Sequence, residues 1–231
     1  MEEELAFLLS FLEEPQKFSI GKFNFTSGKL NGVDVVMQRC GIGKVQAAAG
    51  CATLINRFNP SLVLNTGVAG GVDESLDIAD VVIADNVVYH DVDVTAFNYA
   101  PGQIPGQPKQ FSVLEEHIKI VEKAVDELKS EKLLPQSMNH FRGLIGSGDS
   151  FICDVKRIAE LKKPFPALMA VEMESAAIAH CSRLFNIPFI IIRAISDVAD
   201  TESPVTFEQF TPIAAKHSAE IVRRVIKNIN I

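Results

Sequence analysis

The stretch from Ala170 to Asp200 reads AVEMESAAIAHCSRLFNIPFIIIRAISDVAD, and it decides the fold class. An unbroken apolar run, Phe189-Ile190-Ile191-Ile192, follows Pro188 and ends on Arg193, Ser196 and Asp197. Such a run predicts a strand buried on both faces, the kind parallel α/β sheets contain. Ahead of it, Glu172-Met173-Glu174 opens a predicted helix that passes through Ala176 to Ala179 and stops near Asn186. Ligands of open α/β sheets gather beyond the carboxyl ends of the strands. Arg193, Ser196 and Asp197 therefore fall where active sites form, and the helix start adds a second carboxylate, Glu174. Glu172 and Glu174 lie two apart, so at most one of them is expected to face the site.

Working outward, strands and helices alternate along the chain. Glu2 to Glu14 predicts an amphipathic helix with Leu5, Leu8, Leu9 and Leu12 on one face and Pro15 as its stop. Phe18 to Phe25 predicts a half-buried strand, and Asn31-Gly32 a hairpin turn. A helix is expected over 43–58, then a short strand at Leu62 to Thr66 running into the glycine cluster Gly67-Val68-Ala69-Gly70-Gly71. Val81 to Ala84 and Val87 to Tyr89 give further strand. The proline-rich segment from Asp91 to Phe111 is a long loop, of the length usually reserved for function or an interface. A helix over 114–134, a strand from Gly143 into a second small-residue turn, and a last helix over 206–230 complete the pattern. The expectation is an α/β, single-domain, three-layer fold over 1–231, with a central mixed β-sheet flanked by helices.

The bulk chemistry narrows the partners. With 231 residues and 47% hydrophobic content the chain can bury a sizeable core. A formal net charge of −7 argues against nucleic acid or an anionic membrane. Cys40, Cys51, Cys153 and Cys181 show no paired spacing and no histidine spacing suited to zinc, so reduced thiols in a cytoplasmic protein are expected. Three glutamates directly after Met1 do not suit a signal peptide.

Other motifs are weaker. Gly41-Ile42-Gly43-Lys44 lacks the remainder of a P-loop and reads as a turn before a helix. The Gly67 cluster lacks the dinucleotide-binding glycine spacing; it offers backbone N–H groups at a strand-to-helix junction, open to a ligand. His90, Asp91 and Asp93 have no third partner for a metal and read as surface or interface residues. Asp149 reads as the cap of the helix that follows it. Asp197 is the carboxylate that fits a solvated-surface reading least, and it suits an acid catalyst.

Seven segments in order carry a resemblance across nearly the whole chain. They are Met1-Glu2-Glu3-Glu4, Gly41 to Val45, Asn65 to Gly71, Tyr89 to Phe97, Ser147 to Ile152, Ala170 to Glu174 and Arg193 to Asp200. Together they resemble the bacterial 5′-methylthioadenosine/S-adenosylhomocysteine nucleosidases, whose fold is similar to that of purine nucleoside phosphorylases. The resemblance implies cleavage of an N-glycosidic bond by water, with no metal and no organic cofactor. It implies Asp197 as general acid at adenine N7 with Ser196 holding it, Glu4 as the water activator, and Glu174 as the carboxylate of the ribose and the oxocarbenium-like transition state. Met173 would pack on the ribose, Arg193 would order water and carboxylates, and Phe151 would stack on adenine beside the Ile152 backbone. Met1, Val68, Ala69 and Gly70 would line the substrate and Phe207 would close over it. Phe97 and Pro105 would serve the neighbouring subunit of a homodimer. The family's short apolar strand ahead of M-E-E-E has no counterpart before Met1, and Val68 stands where many relatives have serine. A phosphorylase must hold a phosphate dianion, for which Arg and hydroxyl donors suit best; Asn65 and Val68 would make a poor phosphate site, so water is the expected nucleophile. A phosphorylase or futalosine hydrolase of the same fold, or an inactive nucleoside-binding relative, are the alternatives.

Overall fold

The computed structural model describes residues 2–197 and 203–229. In chain order the elements are α1 (Glu2–Leu9), β1 (Glu13–Ile20), β2 (Phe23–Leu30), β3 (Val33–Gln38), α2 (Lys44–Phe58), β4 (Val63–Gly71), β5 (Val81–Tyr89), β6 (Phe111–Ser112), α3 (Glu115–Ser130), β7 (His140–Ser147), α4 (Val155–Lys162), β8 (Leu168–Glu172), α5 (Ser175–Leu184), β9 (Phe189–Asp197) and α6 (Ser203–Asn228). No helix among the described residues is long and apolar enough to cross a membrane.

The apolar run forms the strand its sequence predicts. Every residue of β9 is buried, and the strand lies parallel to β4, with Val63 opposite Phe189 and Thr66 opposite Ile192. The sheet is mixed, in the order β6-β5-β7-β8-β4-β9, and a further antiparallel pairing of β5 with β9 closes it on itself. Pairs β5–β7, β7–β8 and β4–β9 are parallel, whereas β5–β6 and β4–β8 are antiparallel. Helices flank this sheet as expected: α2 packs on α5, and α6 runs along β9 and β4 with α1 and α3 beside it. The largest apolar cluster joins β5, β9, α3 and α5 through Val81, Ile83, Val121, Ile178 and Ile191.

Several expectations needed correction. The first helix ends at Leu9, and Glu13 to Ile20 is extended instead. Pro15 is tolerated there because β1 is the edge of its sheet, beside a register irregularity between Glu13 and Gln16, where a missing N–H costs little. The single strand expected around Phe18 to Phe25 is two, β1 and β2, joined by a turn at Gly21-Lys22; Phe18 and Phe25 stack across the pair. Asn31 and Gly32 do make the expected hairpin, both with positive φ, 52° and 80°. The two strand pieces around Asp85 are one strand, β5, with a register irregularity between Ala84 and Asn86.

β1, β2 and β3 form a separate sheet with β3 at its edge. β4 has β8 beside it only at Gly70 and Gly71, so Val63 to Ala69 lacks a strand neighbour on that side among the described residues. Both open edges line an apolar cavity of about 660 Å³, with Val35, Met37 and Gln38 on one side and Leu64 and Thr66 on the other. Gln38 Nε2 and Thr66 Oγ1 are buried without hydrogen-bond partners among the described residues.

Candidate active site

The carboxyl ends of β4, β7, β8 and β9 converge on a second cavity, of about 850 Å³. β4 is the tie between them. Its Gly70 pairs with Val171 of β8 on one side and with Asp197 of β9 on the other. The β4–β9 register slips between Ala69 and Gly70, so Ser196 is the extra residue of a bulge. Bulges re-aim the side chain that follows, and here that side chain is Asp197. It is 1% exposed, and Ser196 Oγ donates to its Oδ1 at 2.9 Å.

The glycine cluster does not form a strand-to-helix turn. It stays extended through Gly71 because β9 and then β8 supply its ladder. Its glycine is needed for a different reason at Gly67, where a Cβ would lie 2.7 Å from Arg193 Nη1. Arg193 is 2% exposed, and its Nη2 lies 2.6 Å from Asn65 Oδ1, 2.7 Å from Glu172 Oε2 and 2.8 Å from Ser175 Oγ. Nη1 reaches only the Ile192 carbonyl at 3.4 Å, and Nε is buried without a partner. One side of the guanidinium is therefore saturated, and the other keeps its donors.

Glu172 corrects the expected helix opening. It closes strand β8, and the helix starts at Ser175 with Glu174 as its N-cap residue. Both acids line the cavity, where at most one was expected to. They differ in surroundings. Glu172 is buried and caps α5: the Ser175 N–H donates to its Oε2 at 2.9 Å, and the Glu174 N–H to the same oxygen at 3.0 Å. Ser147 Oγ donates to its other oxygen and accepts from the Ala176 N–H at 2.8 Å. Burial alone would raise the pKa of Glu172; the Arg193 charge and the Ser147 and Arg193 hydrogen bonds outweigh it, and hold the carboxyl below its usual range. Glu174 shifts the other way. Burial first, and then the Glu172 charge, raise it, although Arg193 and the Gly43 N–H, which donates to Oε1 at 3.0 Å, oppose the rise. Gly43 has φ 88°, a conformation that suits glycine, and this aims its N–H at Glu174.

Asp149 caps a helix other than the one expected. Its Oδ1 accepts from Lys44 N at 2.8 Å, at the start of α2, whereas Asp154 caps α4 by accepting from Lys156 N. Asp91 accepts from Lys44 Nζ at 2.6 Å and from the Asp149 N–H at 3.0 Å, which ties the loop after β5 to the same corner. Asp93 accepts from Thr95 N and Oγ1.

Of the site residues expected from sequence, Val68, Ala69, Gly70, Phe151 and Ile152 line the cavity. Met173, Glu174, Arg193, Ser196 and Asp197 line it as well. Phe97 and Pro105 are exposed and do not line it. Met1 lies outside the described residues, and so do the side chains of Glu4 in α1 and Phe207 in α6. The sequence reading missed Glu172, Ser147 and Ser175 as parts of the site. Reading Leu168 to Glu172 as a strand would have placed Glu172 at a carboxyl end; Ser147 and Ser175 carry no local signal.

Comparison with known proteins agrees over the full length. The model of the phosphorylase superfamily matches residues 1–227. A protein of Geobacillus sp. (strain WCH70), described as a 5′-methylthioadenosine/S-adenosylhomocysteine nucleosidase, is 45% identical over 99% of this chain and 96% of its own. The crystal structure of such a nucleosidase from Neisseria meningitidis, in complex with methylthio-immucillin-A, superposes with a TM-score of 0.94 at 39% identity, covering 99% of this chain and 96% of that one. Its counterpart from Colwellia psychrerythraea 34H, in complex with adenine, has a TM-score of 0.93 at 39% identity, over 99% and 92% of the two chains. With its buried strand ending on Ser196-Asp197 and its matches running from end to end, the chain belongs to the phosphorylase superfamily and, within it, to the 5′-methylthioadenosine/S-adenosylhomocysteine nucleosidases.

Proposed function

We propose that this chain acts as one nucleosidase domain that hydrolyses the N-glycosidic bond of 5′-methylthioadenosine, S-adenosylhomocysteine and 5′-deoxyadenosine, releasing adenine and the 5-substituted ribose. The observation that carries the reading is one cavity lined by Asp197 at the end of β9, Glu174 at the start of α5 and the half-exposed Phe151 ring. Two carboxylates from different elements beside an aromatic ring suit a purine on one side and a sugar on the other.

In this mechanism the Asp197 carboxyl gives its proton to adenine N7 as the bond from C1′ to N9 breaks, because an anionic adenine is a poor leaving group. Ser196 fixes the orientation of that carboxyl. Glu174 accepts from the ribose hydroxyls and favours the positive charge that develops on the sugar. Water attacks C1′ and loses its proton to Glu4, with the free donors of Arg193 ordering it. Phe151 stacks on adenine beside the Ile152 backbone, Met173 packs on the ribose, Met1, Val68, Ala69 and Gly70 line the substrate, and Phe207 closes over it. Metal and organic cofactor have no part in these steps.

The arrangement around Arg193 favours water over phosphate. Its charge is already matched by Glu172 at 2.7 Å, and Asn65 Oδ1 is turned to it as an acceptor, so a dianion would meet donors but no unmatched cation. The reading also includes a homodimer in the cytoplasm. Phe97 is 75% exposed and Ile42 76%, apolar surface of the kind a second copy covers, with Phe97 and Pro105 reaching the partner's cavity. Four unpaired thiols suit a reducing compartment.

The test is release of the free purine base, adenine from these nucleosides and hypoxanthine from futalosine, in phosphate-free buffer. Release that is unchanged by added phosphate is the expected result. Strict phosphate dependence would make the enzyme a phosphorylase, release from futalosine alone would change the substrate, and adenine binding without turnover would leave only a binding protein.

A further inference from the structure

We propose that Glu172 is a positioning residue for this hydrolysis: its buried carboxylate holds the Arg193 guanidinium and the turn that presents Glu174 in one fixed relation. The inference rests on the nucleosidase reading above. Glu172 Oε1 takes the Ser147 hydroxyl and, at 3.1 Å, the Ser175 N–H. Oε2 takes Arg193 Nη2 at 2.7 Å, the Ser175 hydroxyl at 2.9 Å, the Ser175 N–H at 2.9 Å and the Glu174 N–H at 3.0 Å. A carboxylate so engaged has no acceptor capacity left for a ligand, so Glu172 acts on the reaction only through the groups it holds.

Those groups come from three other elements. Ser147 ends β7, Arg193 belongs to β9, and Ser175 begins α5. One carboxylate at the end of β8 thus sets where the guanidinium stands relative to the backbone of Glu174. Because Arg193 spends one side on Glu172, Asn65 and Ser175, its Nε and Nη1 donors keep a fixed direction. A helix cap alone needs a short polar side chain and no buried cation. The ion pair with Arg193, both partners being almost inaccessible, is the part that a capping role leaves unexplained.

The charge has a second consequence. Glu174 faces Glu172, Arg193, the Gly43 N–H and the Cys40 thiol, and the Glu172 charge is what raises it after burial itself. Neutralising Glu172 removes that repulsion and leaves the Arg193 charge unopposed beside Glu174. Both changes favour ionised Glu174, so the acid limb of kcat/KM moves to lower pH.

The experiment measures adenine release against pH, in phosphate-free buffer, for the wild type, Glu172→Asp and Glu172→Gln. Glu172→Asp keeps the charge but shortens the reach; it is expected to lose about tenfold in kcat with KM changed far less, and to keep its acid limb in place. Glu172→Gln is expected to lose about 100-fold in kcat, with its acid limb displaced downward. A Glu172→Asp enzyme that turns over like wild type overturns the proposal, whether or not Glu172→Gln folds. So does a folded Glu172→Gln whose acid limb has not moved. A wild type that releases no adenine would instead remove the nucleosidase reading itself, which keeps the two failures apart.

Discussion

The two flanks of β4 are built in opposite ways. On the flank towards α5 and the ends of β8 and β9, the polar groups of Glu172, Ser147, Ser175 and Ser196 all have partners within the chain. The flank towards β3 has open strand edges, an apolar cavity of about 660 Å³ and two buried polar atoms, Gln38 Nε2 and Thr66 Oγ1, with no partner. The two cavities share Asn65, Thr66, Arg39 and Cys40 as common lining. This molecule is preorganised on the first of these flanks. The carboxylates assigned to base and sugar are each held before any substrate arrives, Asp197 by the Ser196 hydroxyl and Glu174 by the Gly43 N–H. The β3 side carries no such network.

Substitutions that strike the ordered flank should therefore cost activity, and the largest loss belongs to its acid. Asp197→Asn keeps the size and the Ser196 contact while removing the proton, and a fall in kcat of about 10²–10⁴ is expected. Adenine release with circular dichroism as the control for folding measures it, and near-normal turnover would reassign the acid. A smaller effect is expected from the backbone that Arg193 leans on. Gly67→Ala puts a Cβ 2.7 Å from Nη1 of a guanidinium already fixed by three acceptors. It should destabilise the fold by about 1–3 kcal/mol, read from urea unfolding, because Nη1 can yield only by loosening the three contacts that hold Nη2. A neutral result would mean that the ordered flank has slack.

This contrast also explains what the sequence could tell. β9 was legible because a strand buried on both faces needs no periodicity, only a short apolar run with a proline ahead of it. Asp197 was legible for the same reason, as a carboxylate at the end of that run. Glu172 was legible only as one of two helix-opening acids of which at most one would face the site, because nothing local marks Leu168 to Glu172 as a strand. Its partners lie 25 residues earlier, at Ser147, and 21 later, at Arg193, and only the sheet brings them together. Asp149 shows the same limit: local rules assign it to the helix nearest in sequence, whereas the helix it caps begins at Lys44, 105 residues away. The glycine cluster read as a turn because local propensity ignores the ladder from β8 and β9 that keeps it extended. At the N-terminus, Pro15 read as a helix stop and proved to be an edge-strand residue, which local rules allow equally.

The smallest predicted effect tests the other flank, and its sign is opposite. Thr66 lies in β4 opposite Ile192, and its hydroxyl is buried where both cavities meet, without a hydrogen-bond partner. Leaving a hydroxyl unpaired forfeits its hydration without replacement, whereas valine has nearly the same shape and a strong preference for strands. Thr66→Val should therefore raise stability by about 1 kcal/mol, seen as a higher urea midpoint with an unchanged slope. The same exchange at Ser147 or Ser175 should lower stability, since each of those hydroxyls holds Glu172. If Thr66→Val instead destabilised the protein, its hydroxyl would have a partner in solution. Thr66 would then no longer set the β3 flank apart from the one that carries the carboxylates.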